Sequence, residues 1–196
     1  MKLDKKIEAK IKQEALKLLK SGRTNWDVRH TLCAVKWIKK LIELEGGDAR
    51  ILIPAIYFHD TGYKKLPLGY NHKQVMAAKP DHALQSAENV KQFFPKLNYF
   101  TPKEISRIAY LVKNHDKHSH ISEPDRQLVF EADGFAQIDW YNCQPSYDKK
   151  NTLLFFTTYF KKRRQYIKTK SGKKIFKQLL AKAEKYLTNW PEKINN

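Results

Sequence analysis

The sequence predicts an all-α protein, and three observations carry that expectation. Apolar residues recur at helical spacing, as in Leu3, Ile7, Ile11, Ala15 and Leu19, which stacks them on one face. No alternating apolar and polar pattern persists long enough to make a strand ladder. Capping residues, prolines and glycines separate the periodic segments at ordinary helix lengths.

Residues 3–20 form the first expected helix, ended by "SGRTN". Asn25 is the expected cap of a second, in which Leu32, Val35, Ile38 and Ile42 keep the helical period up to Gly46-Gly47. Asp48 suits the cap of a short helix over 49–60, so apolar that other elements should surround it. Residues 61–81 hold several glycine and proline breaks and "GYNHKQ", and are expected to be a loop or lid. Helices are expected again at 82–94, at 102–114 after Thr101, and at 124–140 with Pro124 in the first turn. Two more are expected over 147–190, the first strongly basic around "KKRRQYIK". With no internal repeat and no low-complexity linker, residues 1–196 are read as one domain.

Composition narrows the function classes. Hydrophobic residues make up 41% of the 196, enough for a real core. The 38 Lys and Arg against 20 Asp and Glu give a formal charge of +18, which favours an anionic partner. Much of that lysine has helical spacing and would form a solvated face. Two cysteines, Cys33 and Cys143, offer neither a disulfide framework nor a paired-cysteine metal knuckle. No apolar run approaches membrane-span length, and "MKLDKKIEAK" lacks a signal-peptide core, so no membrane partner and a cytoplasmic location are expected.

The chemistry is concentrated in "AIYFHDTGYKK", residues 55–65, where His59 and Asp60 end an apolar run. Polar groups in such a place carry a penalty unless something satisfies them. His30, His82, His115 and Asp133 also lie on or at the edge of predicted helices, so the six residues come from five helices. Imidazoles and carboxylates converging from a rigid bundle are what a divalent cation needs.

The order of these residues, His30, then His59-Asp60, then Asp133, resembles the HD superfamily of metal-dependent phosphohydrolases. "DVRHTLCAVKWIKKLIELEGGDARILIPAIYFHDTGY" is similar to the first core helices of that family. "DHALQSAENVKQFF" and "RIAYLVKNH" are similar to later segments that supply further histidines, so the likeness covers about residues 24–140, with the basic helices of 147–190 packed on that core. The resemblance implies a hydrolase that activates water with one or two divalent ions (Mn, Mg, Fe, Co, Ni or Zn). It implies His30, His59, Asp60 and Asp133 as ligands of one metal, Asp60 as a bridge in binuclear relatives, and His82 and His115 as ligands of a second. His118 is a reserve candidate. The Glu-Asp pair of the guanosine-tetraphosphate branch and the Gly-Tyr-Pro signature of the cyclic-dinucleotide branch are both missing.

The implied substrate is a small phosphorylated, nucleotide-like molecule carrying a phosphomonoester or phosphodiester. Arg29, beside His30, and Lys64 and Lys65, shortly after Asp60, are the cations nearest in sequence to the motif and the candidates to grip it. His72 is a candidate proton donor on the expected lid, and Tyr63 and Tyr70 could stack on a ring. Each has a plainer alternative. His118 and His120 suit a polar loop, His82 beside Asp81 suits a helix start, and Asp133 could cap a turn at Gly134. Trp26, Trp37, Trp140 and Trp190 suit core packing. A rival class is a non-catalytic nucleic-acid-binding module that uses "KKRR", residues 161–164.

Overall fold

The computed structural model describes residues 2–64, 66, 70–117 and 121–191, with the backbone alone at Pro80, Tyr159 and Lys161. Among them it is all-α. The helices are α1 (Lys5–Leu19), α2 (Asp27–Glu45), α3 (Ala49–Phe58), α4 (His72–Phe93), α5 (Pro102–Lys113), α6 (Pro124–Ile138), α7 (Lys149–Phe155), α8 (Lys161–Arg163) and α9 (Lys170–Thr188). No strand forms among the described residues, only one isolated bridge between Arg23 and Leu66. No described helix is long and apolar enough to cross a membrane.

Helix α3 is the hub. Asp48 caps it through the Arg50 amide at 2.9 Å, and every residue from Ile51 to Phe58 is buried. It packs against α1, α2, α4, α5 and α6. Each large apolar side chain buried there contributes roughly 1.5–3 kcal/mol relative to exposure. A helix enclosed on all sides ends in the interior, so the His59-Asp60 pair at its C-terminal end is buried with it.

Three expectations change. The segment 61–81 is not loop throughout, because α4 begins at His72 and runs on through Pro80. Its start is fixed by a capping box. The Asn71 side chain accepts from the Gln74 amide at 3.0 Å, and Gln74 accepts from the Asn71 amide at 2.8 Å. Asn25 is not the cap of α2; it lies in the left-handed region at φ 61°, and the helix starts at Asp27. The wholly buried Asp27 closes the turn instead, accepting from the Arg23 amide and from Arg23 Nε, each at 2.5 Å.

The third change concerns the basic segment. One helix does not span it: α7 gives way to a π-helical turn at Phe156–Phe160, then α8, then a 3₁₀ turn at Arg164–Tyr166. The arm then turns into α9, which packs on α2 and α6. Glu131 of α6, fully buried, holds that turn by accepting from the Lys168 amide at 2.8 Å, the Thr169 amide at 3.0 Å and Thr169 Oγ1 at 2.5 Å. Glu131→Ala leaves those donors unsatisfied and is expected to cost about 2–4 kcal/mol. Urea unfolding checks this: an unchanged midpoint would show that the turn does not depend on the carboxylate.

Candidate metal centre

His30 comes from the buried face of α2, His59 and Asp60 from the end of α3, His82 from α4, His115 from just past α5 and Asp133 from α6. All six are buried, and the fold brings them to one place. Three imidazoles are aimed by the same local device. Nδ1 of His59 donates to the Ile56 carbonyl at 2.7 Å, that of His82 to the Lys79 carbonyl at 2.5 Å, and that of His115 to the Val112 carbonyl at 2.7 Å. A carbonyl can only accept, so the ring proton is on Nδ1 and a neutral ring presents the Nε2 lone pair inward.

Those inward nitrogens meet in pairs. His30 Nε2 lies 3.1 Å from His59 Nε2, and His82 Nε2 lies 3.3 Å from His115 Nε2. Asp60 stands between the pairs and gives one oxygen to each. Its Oδ2 is 3.3 Å from His59 and 3.6 Å from His30, while its Oδ1 is 3.5 Å from His82 and 3.6 Å from His115. The result is two groups, His30–His59–Asp60 and Asp60–His82–His115, each with its ligand atoms within 4.8 Å of one another. Asp133 Oδ1 borders the first group, 3.0 Å from His30 and 3.6 Å from His59.

The electrostatics also suit a cation. Burial disfavours charge on Asp60, but His59 and Arg23 outweigh it and hold the carboxyl well below the usual range. Burial likewise opposes charge on Asp133, where the hydrogen bond from His30, the neighbouring His59 and then the Arg163 charge prevail. Burial lowers His30, and together with neighbouring His115 lowers His82 to about 4, which favours neutral donor rings. His59 goes the other way: burial would lower it, but the Asp60 charge and then the Asp133 carboxylate outweigh burial and raise it to about 10, so this ring must give up its Nε2 proton before it can hold an ion. Borderline nitrogen donors and anionic oxygens in a rigid shell fit Mn, Fe, Co, Ni or Zn, and fit Mg less well.

Two arginines that the sequence does not single out complete the shell. Arg23 donates from Nη2 to Asp60 Oδ2 at 2.6 Å and from Nε to Asp27, and its guanidinium lies 3.7 Å over the Tyr63 ring. Arg163, from the basic segment, is buried; it donates to Asp133 Oδ2 at 3.1 Å and to the Phe130 carbonyl at 2.7 Å. Gly134 makes room for it, since a Cβ there would lie 2.6 Å from Arg163 Nε. Gln137 donates to both oxygens of Asp133, at 2.8 and 2.9 Å. Asp133 is therefore turned into the bundle and does not cap a turn. Arg163→Met is expected to weaken metal binding about 10–100-fold, the usual effect of losing a partner of a ligand. Titration of the metal-free protein with Mn or Co measures it, and an unchanged affinity would leave Arg163 a packing residue only.

Comparisons of the chain with protein-family models, with curated proteins and with solved structures find no match. The centre is defined by its own geometry.

A cavity opens on it, lined by Arg23, Trp26, Tyr63, Lys79 and Asp116 as well as by His30, Asp60, His82, His115 and Asp133. His72 also lines it, as an edge-on neighbour of Tyr147. Arg29 and Lys64 are not brought to the cavity. The Arg29 guanidinium folds back on the Asn25 carbonyl, and Lys64 is exposed. Tyr63 is buried, its ring stacked 4.1 Å from that of His82. Of the other sequence candidates, Lys65, His118 and His120 lie outside the described residues. Arg23 carries little signal in the sequence, being a lone cation inside an apparent helix break.

Proposed function

We propose that the protein is a metal-dependent phosphohydrolase of the HD superfamily that cleaves the ester of a small phosphorylated substrate. One observation carries this reading: Asp60 lies between two buried pairs of imidazoles, with one carboxylate oxygen toward each. His30, His59, Asp60 and Asp133 would hold one ion, and Asp60, His82 and His115 a second. Bound divalent ions would bring the pKa of water toward neutrality and offset phosphoryl charge.

The chain's own residues do the rest. Arg23 and Lys79 stand on the cavity wall beside the centre, and each can offer N–H donors to a phosphoryl oxygen. Lys79 is held by Asp116 at 3.2 Å, which fixes its position. Arg23 is anchored through Asp27 and Asp60, so its fork enters the site without the ordering cost of a mobile side chain. Burial and the nearby Lys79 lower the pKa of His72, which suits a neutral ring in the cavity wall better than a standing proton donor.

The test is hydrolysis of phosphomonoesters and phosphodiesters by protein loaded with Mn, Co, Ni or Mg. Activity should require metal and should fall in His115→Ala. No turnover with any ion, or turnover indifferent to chelator, sinks the reading.

One feature favours the second class, nucleic-acid binding. Lys162, Arg164, Lys168 and Lys173 line a shallow hollow far from any ligand in sequence. If it grips a polyanion, binding of single-stranded nucleic acid should fall steeply with salt and ignore chelator. Retention of binding when all four are changed to Ser would remove that reading.

A further inference from the structure

One part of the cavity wall has a chemistry of its own. Tyr70, His72, Tyr147 and Phe155 line it as a cluster of rings. Tyr147 lies edge-on to Tyr70, His72 and Phe155, with centroids 6.0, 6.2 and 6.1 Å apart, and His72 is 5.6 Å from Phe155. They come from two separate places, the entry to α4 and the 147–155 segment, so the fold assembles this wall. It is not one apolar helix face.

Two polar atoms of the wall are buried: His72 Nδ1 has no hydrogen-bond partner, and Tyr70 Oη has the Ser146 side chain beside it as one. Tyr70 is only 6% exposed. Buried donors and acceptors of this kind are costly unless something pairs with them. An aliphatic ligand would leave the His72 nitrogen unsatisfied. A flat ring with polar atoms on its edge would cover the aromatic faces and offer that nitrogen a partner.

The charge on the wall sets a second limit. Among the described residues, the Lys and Arg lining the cavity are Arg23 and Lys79, and both are already paired with carboxylates. A chain of phosphates would need further cations beyond the centre. The rest of the wall offers rings.

Resting on the hydrolase reading, we propose that the cavity selects esters joining a single phosphoryl group to a ring-bearing alcohol. The phosphoryl group lies at the imidazole and carboxylate end, the ring lies against Tyr70, His72, Tyr147 and Phe155, and di- and triphosphates are disfavoured.

Binding of phosphonates, whose P–C bond resists hydrolysis, separates this from turnover. Titrations of the full chain with Mn present can track the fluorescence of Trp26 and Trp140, which both line the cavity. Phenylphosphonate should bind roughly tenfold more tightly than ethylphosphonate, the scale of aromatic contacts in a pocket. Tyr147→Leu should cut that preference to less than about threefold while leaving ethylphosphonate binding unchanged. His72→Leu is the second variant should the first fail to fold. In an adenosine series, the triphosphate should bind no more tightly than the monophosphate. Equal binding of the two phosphonates, or a triphosphate favoured tenfold, overturns the proposal. Ester turnover is scored separately. Equal hydrolysis of phenyl and ethyl phosphate would keep the hydrolase and sink the ring preference. A phenyl preference in binding without turnover of any ester would do the reverse.

Discussion

Asp60→Ala is expected to abolish metal-dependent activity and metal retention together, a loss beyond the roughly 10–100-fold typical of removing a mere partner of a ligand. The reason is its position. Among the described residues Asp60 is the one carboxylate shared by both imidazole pairs, and Arg23 is held against its Oδ2. Its removal also leaves a buried guanidinium with Asp27 alone, which puts the loss of stability in the range of about 3–5 kcal/mol. Asp60→Asn is therefore the cleaner companion, since it keeps the volume and removes the charge. Metal titration and circular dichroism of both variants check the expectation. If Asp60→Asn binds metal as the wild type does, the bridging role is wrong.

Gly62→Ala is expected to act through the backbone. A Cβ at Gly62 would collide with the carbonyl oxygen of His82, and would lie 2.5 Å from the Ser86 amide nitrogen and 2.8 Å from Gln85 Cβ. The first two are backbone atoms of α4, so the neighbour cannot turn a flexible side chain away. The Gly62 amide also donates to Ser86 Oγ at 2.8 Å, which ties the turn after Asp60 to α4. Overpacking at such a contact costs about 2–4 kcal/mol. The shift should displace His82 and spare His30, so the second site should weaken more than the first. Denaturant unfolding together with metal titration tests both halves, and wild-type stability would show that α4 moves freely.

Much of the fold and of the site is legible in the sequence because the signals are redundant. The apolar run of α3, the cap at Asp48 and the polar pair at its end all say the same thing about His59 and Asp60. His30 and Asp133 are legible for a similar reason, being polar groups inside apolar helices. The start of α4 is hidden although Asn71 and Gln74 have the spacing of a capping box, because glycine and proline around them argue for a loop. Asn25 looks like a cap by residue type, but the Arg23–Asp27 pair moves the helix start.

Contacts between distant segments leave no local trace. Arg163 sits among lysines in "KKRRQYIK", and only packing shows that it alone of Lys162, Arg163 and Arg164 is buried, against Asp133. Arg23 reaches Asp60 across 37 residues. Arg29 and Lys64 have only their nearness in sequence to the motif to recommend them. In a bundle, a helical turn of separation in sequence can put a side chain on the wrong face.

The most direct measurement is the number of ions per chain, read by elemental analysis after the protein is loaded with Mn or Co and passed free of excess metal. The geometry predicts close to two in the wild type, close to one in His82→Ala, and none retained in Asp60→Ala. A wild-type chain that holds no more metal than Asp60→Ala would contradict the account at its centre.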